Sequence, residues 1–366
     1  MASTNATSIL AMTHMMGRDD KPTSKELIPR AYDQIHSRRR MIVKKLAEQS
    51  RFVILATLIV AVSVSCASQQ TNRPSLSGPT DEFARIESSV DPYVPYVERR
   101  AAHRTRQIGT GPIEGVAMLP APAGVEVVSY FSNGLALKGW LVKPKAASNQ
   151  PRPGVVYLHN NFSLTMRSYN NALAFVEAGF TVFLPTWRAE NGNAGDFELL
   201  YGEVDDAKAA IAWFAARPDI LPDAVYVIGH SIGGGIAALL SLHPDQQARI
   251  TASVGGIYRA RTFWFWSNRS STRNLIRFDP LDATEVTLRL LGPNVRDMAK
   301  RHIAYAGEDD SFDTAYALHV QELAKEVNAP YEVVLVRGDH MSSIDEAIQH
   351  FIGEIRMDRK SSVPTP

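Results

Sequence analysis

A single cysteine, Cys66, stands in a chain of 366 residues, so no intramolecular disulfide can form and no cysteine-based metal site can be built. Net charge is almost absent as well: 39 Lys and Arg face 38 Asp and Glu, a formal balance of +1, and nothing in it points to a nucleic-acid partner. No internal repeat is found, and no motif calls for a cofactor or a metal ion. Long apolar runs are scarce: residues 52–65 (FVILATLIVAVSVS) form an uncharged stretch of about 14 residues, short for a membrane span. What is present is ordinary for a folded protein, with 45% hydrophobic and 21% charged residues. Regular patterning starts only near Val125, which leaves about 240 residues and predicts one large α/β domain around a single core.

The chain is organised around residues 224–244, AVYVIGHSIGGGIAALLSLHP. Ala224, Val225, Tyr226, Val227 and Ile228 read as a strand, and Ile236, Ala237, Ala238, Leu239 and Leu240 suit a helix, so Gly229-His230-Ser231-Ile232-Gly233 must be the sharp turn between them. A serine forced into such a turn needs neighbours almost free of side chain, and Gly229 and Gly233 stand two residues to either side. The turn lifts the Ser231 hydroxyl above the carboxyl ends of a parallel sheet and aims a helix N-terminus at the same place, where developing negative charge is stabilised. Ser231 is the candidate nucleophile.

On either side of this unit, strand and helix alternate. VEVVSYF and LALKGWLVKP flank Asn133-Gly134 as an antiparallel hairpin, expected at the sheet edge. Strands GVVYLHN, FTVFLPTW, ITASVGGIY, HIAYAG and YEVVLVRG follow in order, with helices read over 169–178, 204–218, 314–327 and 343–355. The fold class is α/β: an eight-stranded, mostly parallel, doubly wound sheet flanked by helices, with the nucleophile after the fifth strand.

Residues 1–50 are polar, weakly patterned and basic (Lys21, Lys25, Arg30, Arg38, Arg39, Arg40, Lys44, Lys45), and are not expected in the fold. Arg51 and this cluster precede the apolar run that Cys66 ends. Residues 41–66 thereby resemble a bacterial lipoprotein signal, in which the cysteine becomes the lipidated first residue of the mature chain, although Ser63 stands where such signals usually have an aliphatic residue. Met41 offers a second start, giving MIVKKLAEQSR as a charged leader. The alternative is an uncleaved single span with a basic cytoplasmic tail. Both readings attach the protein to the membrane of a bacterial cell envelope, with its catalytic part on the periplasmic side. Residues 67–122, rich in Ser, Pro, Thr and Arg, are expected to be a tether and an arm on the domain, 123–357 the catalytic domain and 358–366 a tail.

With these elements in place, residues 125–355 resemble an α/β-hydrolase, and are similar to the prolyl-oligopeptidase and dienelactone-hydrolase branches of that superfamily. Such enzymes carry serine, acid and histidine in chain order, each at a strand's carboxyl end. The resemblance implies that His340, in VRGDHMSS after the last strand, is the base. His230 is expected to point elsewhere, and His319 and His350 lie within helices. For the acid, GEDD offers Glu308, Asp309 and Asp310, and the family's G-x-x-D spacing from Gly307 selects Asp310. The oxyanion hole should pair the Ile232 N–H with one from Asn161 or Phe162, where His159-Asn160-Asn161 stands in place of the common His-Gly-Gly; His159 itself reads as structural.

The interval 259–300 is expected to form a lid, with Phe263, Trp264, Phe265 and Trp266 either lining an acyl pocket or packing the lid down. The expected activity is a serine hydrolase acting on small carboxylic esters without a cofactor. A serine peptidase is the first alternative and a non-catalytic envelope lipoprotein the second. Peptidases of the resembled branch carry a large β-propeller gate, and residues 67–122 contain no blade repeat, which favours esters.

Overall fold

The computed structural model describes residues 79–361 except 114–116, 147–149 and 269–271, together with the backbone but not the side chains of a few positions, among them Phe265, Trp266 and Phe312. The leader, the apolar run and Cys66 lie outside the described residues. Among the described residues no helix is long and apolar enough to cross a membrane.

Among the described residues two helices come first, α1 (Pro79–Ser88) and α2 (Tyr96–Ala101). An eight-stranded sheet follows, in the order β1-β2-β4-β3-β5-β6-β7-β8. Its strands are β1 (Glu126–Ser132), β2 (Leu135–Val142), β3 (Arg152–Leu158), β4 (Thr181–Pro185), β5 (Ile220–His230), β6 (Ile250–Val254), β7 (Arg301–Gly307) and β8 (Tyr331–Val336). β1/β2 and β2/β4 are antiparallel and every other pair is parallel. The hairpin closes at Asn133 and Gly134, both with positive φ (47° and 82°), the conformation an Asn-Gly turn supplies. β1 alone of that pair forms an edge, because β2 also binds β4.

Between strands lie α3 (Met166–Glu177), α4 (Gly202–Ala215), α5 (Ile232–Leu240), α6 (Ala260–Ser267), α7 (Ala283–Thr287) and α8 (Ser311–Glu326), and α9 (Ile344–Ser361) follows β8. α3 begins earlier than its apolar pattern, because Thr165 caps it by accepting from the Ser168 N–H. Parallel central strands are apolar on both faces because both are covered. Val225 and Val227 of β5 join one core with α4 and α5, whereas Tyr226 and Ile228 join the other with α3 and α9. Truncating a fully buried residue such as Leu158 or Ile228 to alanine would cost about 2–5 kcal/mol.

The packed body begins well before β1. Phe83, Ile86 and Tyr96 are buried in the core, and the Tyr96 hydroxyl donates to the Leu288 carbonyl at 3.0 Å. Arg99 pairs with Asp297 at 3.0 Å and Arg259 with Glu87, so this segment is bound along residues 259–300. Within that interval Phe263 is buried against Phe278, Trp264 packs on Phe83, and Leu290, Leu291 and Asn294 have no exposed surface. At the other end α9 continues to Ser361.

Candidate active site

β5 ends at His230, and the next residue begins the turn. Ser231 has φ 56° and ψ −113° at the N-cap of α5, without its side chain capping the helix. A residue with a Cβ persists there only when the surroundings leave it no alternative. Those surroundings are backbone: a Cβ on Gly229 would stand 2.0 Å from the Gly233 carbonyl oxygen, and one on Gly233 2.3 Å from that of Leu158. The Ser231 N–H donates to the Val254 carbonyl at 2.9 Å, tying the turn to β6. Its partly exposed hydroxyl makes no hydrogen bond among the described residues.

His340 follows β8, and its Nδ1 lies 3.0 Å from Asp310 Oδ2. The G-x-x-D spacing thus brings the expected acid to the expected base, while Glu308 and Asp309 are exposed. A second carboxylate, unforeseen from the sequence, reaches the same atom: Asp313 Oδ2 is 3.1 Å from His340 Nδ1. Asp310 stands at the N-cap position of α8 without its side chain capping the helix and Asp313 one turn in, so the D-x-x-D spacing across a helix start is the signal that would have found it. The hydrogen bonds to Asp310 and then Asp313 outweigh burial and raise His340 to about 9. Burial raises the Asp313 carboxyl, with Asp310 adding to it. Burial also acts upward on Asp310, but the hydrogen bond from His340 and its charge bring that carboxyl below the ordinary range. Asp310 therefore remains the ionised partner of the imidazole.

His230 does not point away from the site. Its Nε2–H donates to the His340 carbonyl at 2.9 Å, and the two rings are 5.0 Å apart. Burial lowers its pKa to about 4, so it stays neutral. The His340 ring also rests on Gly255, where a Cβ would be 2.6 Å from Nδ1. The His340 ring is thus seated between His230, next to Ser231, and the end of β6.

For the oxyanion hole, Ile232 is buried at the first position of α5, and Asn161 stands exposed with φ 57° just beyond β3. The two regions touch, because the Gly233 Cα faces the carbonyl oxygens of Leu158 and His159. Asp310, Asp313 and His340 are also the described set whose ligand atoms lie within 4.8 Å of one another, near enough for one cation. Their hydrogen bonds are those of an imidazole held by carboxylates.

The doubly wound sheet is that of the α/β-hydrolase superfamily, with the serine turn after β5 and the Asp–His pair at the ends of β7 and β8. Comparison with known proteins agrees and goes further. The model of the family described as X-Pro dipeptidyl-peptidase (S15 family) matches residues 95–326, so the chain belongs to that family. An uncharacterized peptidase of Bacillus subtilis, YtmA, is 30% identical over 131 residues, covering 36% of this chain and 50% of the relative. The chain thus spans half the length of that relative. Among solved structures, dipeptidyl peptidase 4 of Porphyromonas gingivalis is similar with a TM-score of 0.53 at 14% identity, over 63% of this chain and 35% of that one. The esterase Est2 of Thermogutta terrifontis gives 0.51 at 18% identity, over 66% and 96%. Likenesses this distant speak for the fold alone.

Proposed function

We propose that the protein hydrolyses small carboxylic esters through an acyl-enzyme on Ser231. His340 Nε2 takes the Ser231 proton as Oγ attacks the ester carbonyl, and the N–H groups of Ile232 and Asn161 receive the oxyanion. The alcohol leaves with the proton from His340. Water then attacks the acyl group, again giving its proton to His340, and Ser231 recovers its own as the acid departs. Asp310 holds the imidazole in the tautomer this requires.

The observation that supports the ester reading is the pair of carboxylates on His340 Nδ1. They stabilise the imidazolium and so make it a reluctant proton donor. An amine must be protonated to leave, whereas an alcohol or phenol demands less of the acid. A second reading, peptidase, is favoured by the family match and by the name of the B. subtilis relative. Values of kcat/KM for p-nitrophenyl acetate and butyrate should exceed those for aminoacyl-prolyl and other aminoacyl p-nitroanilides, and a clear preference for the anilides would select the peptidase reading. Fluorophosphonate labelling that survives in Ser231→Ala would remove Ser231 as the nucleophile. The apolar run ending at Cys66 supports attachment to the membrane with the catalytic body outside the cytoplasm. Mass spectrometry of membrane fractions should find Cys66 lipidated as the first residue, and an unmodified Cys66 in an unprocessed chain would favour the single-span anchor.

A further inference from the structure

Behind the oxyanion loop lies a group of buried polar side chains that the reaction as written does not use. His159 follows β3 and Glu190 follows β4, and neither has appreciable exposed surface. The His159 ring stacks on Trp187 at 5.1 Å. Its Nδ1 lies 3.1 Å from the Asn160 carbonyl oxygen. A carbonyl can only accept, so the hydrogen must be on Nδ1. Burial lowers His159 to about 4, which leaves the ring neutral and Nε2 a bare acceptor.

Facing that acceptor at 3.4 Å is Oε2 of Glu190, a contact that lacks the alignment of a hydrogen bond. Neither Nε2 nor either Glu190 oxygen has another partner among the described residues. Burial, with Glu203 and Asp206 nearby, raises the Glu190 carboxyl well above its ordinary value and so favours the protonated form, whose O–H can donate to Nε2. The next residue holds the other end of the loop: Asn191 Oδ1 accepts from the Leu164 N–H at 2.9 Å, and Asn191 Nδ2 donates to the Leu164 carbonyl at 3.4 Å.

One peptide group connects this cluster to the chemistry. In a trans peptide the C=O of Asn160 and the N–H of Asn161 point in opposite directions. With the carbonyl turned toward the buried His159 ring, the Asn161 N–H projects outward, and it donates to no acceptor among the described residues. Immediately before this peptide, the His159 carbonyl abuts Gly233 of the serine turn.

We propose that Glu190 and His159 are positioning residues for the oxyanion hole: Glu190 donates to His159 Nε2, His159 Nδ1–H holds the Asn160 carbonyl, and the Asn161 N–H is thereby aimed at the substrate's oxyanion. A small rotation of the Glu190 carboxyl completes the chain of donors. Two left-handed residues without glycine's freedom, Ala189 (φ 63°) and Asn191 (φ 50°), flank Glu190 and set its direction. The inference rests on Ser231 being the nucleophile of an acyl-transfer reaction.

The test compares wild type with Glu190→Leu, Glu190→Gln and His159→Phe, using active-site titration with a fluorophosphonate, kcat and KM for p-nitrophenyl butyrate, affinity for an alkyl boronic acid, and thermal melting. Glu190→Leu and His159→Phe should lose about 10- to 100-fold in kcat and in boronate affinity with KM within about twofold, since one oxyanion donor is misaimed while substrate binding is untouched. Glu190→Gln keeps a neutral donor and should stay within about threefold of wild type. Unchanged kcat in a folded Leu or Phe variant overturns the proposal, as does a Gln variant as impaired as Leu. If Leu and Phe both fail to fold, the pair is structural and the proposal falls. Failure of wild type to react with the fluorophosphonate would instead defeat the serine-hydrolase mechanism itself, so the two failures are distinguishable.

Discussion

His340 Nδ1 lies 3.1 Å from Asp313 Oδ2, only a tenth of an ångström farther than from Asp310. That N–H bonds Asp310 with the Asp313 carboxyl beside it, and this imidazole is held more firmly in its charged form than one with a single carboxylate neighbour. To act as a base it must be neutral. With the pKa raised to about 9, kcat/KM should climb about tenfold per pH unit through neutrality and level off only near that value. Asp313→Asn removes the second carboxylate and should move the inflection toward the ordinary histidine range, with little loss on the alkaline plateau. Asp310→Asn should lower kcat by about 10²- to 10⁴-fold at every pH. A pH profile of kcat/KM checks both, and an inflection unmoved in Asp313→Asn would show that this carboxylate does not govern the base.

The serine turn makes an opposite pair of predictions for stability. Gly233→Ala drives a methyl group into the Leu158 and His159 carbonyls, and Gly229→Ala into the Gly233 carbonyl. Backbone cannot swing aside as a side chain can, so each should cost about 3 kcal/mol or more and show as lost soluble yield and a much lower Tm. Ser231→Gly works the other way. At φ 56° it relieves the strain of carrying a Cβ, and the inactive variant should be about 1 kcal/mol more stable than Ser231→Ala by denaturant or thermal unfolding. Equal stability of the two would mean that the turn stores no strain at this residue.

How far the sequence could be read follows from how each feature is encoded. The sheet is announced by apolar runs such as GVVYLHN and by the Asn133-Gly134 turn, because fully buried strands and tight hairpins leave local signatures. The candidates Ser231, Asp310 and His340 are legible from chain order and strand ends, as the resemblance to the superfamily implies. Features made by distant side chains left no such trace. α1 and α2 hide in a Pro- and Arg-rich stretch whose helices are held by partners far along the chain, as Tyr96 is by Leu288. Asp313 leaves no distinct signal, because an acidic residue at a helix start usually has only the helix dipole to explain it. The support under Asn161 comes from Glu190 on another strand's loop, a contact that no local period encodes. Leu199 and Leu200 adopt φ 47° and 57°, against the preference of leucine, because Glu203 accepts from the N–H groups of Glu198, Leu199 and Tyr201.

The last prediction concerns Arg289, which ties that strained loop to the segment before β1 and to α7. Its side chain has no exposed surface. Nε donates to the Leu199 carbonyl at 2.8 Å, one terminal nitrogen to Glu285 Oε2 at 2.6 Å and the other to Thr105 Oγ1 at 2.9 Å. The guanidinium also lies 3.9 Å from the Phe278 ring centre. Burial alone pulls its pKa down, and the neighbouring Glu285 opposes that fall, so the cation is retained by its partners. Arg289→Met keeps most of the apolar volume but strands Glu285 Oε2 and the carbonyls of Glu198 and Leu199 without a donor, while Glu285 Oε1 keeps His103 and the Arg106 N–H. Breaking a buried pair from one side costs about 3–5 kcal/mol. The loss should also be local before it is global, because Thr105 and Leu199 share this single cation. Limited proteolysis of Arg289→Met should therefore cut first near residues 102–113, while the Asp310–His340 pair and the reaction of Ser231 with a fluorophosphonate persist in the intact fraction. Adding Glu285→Gln should restore part of the stability, because the carboxylate is then no longer left charged. A Tm within about 2 °C of wild type for Arg289→Met, or uniform cleavage along the chain, would show that Arg289 does not join these segments.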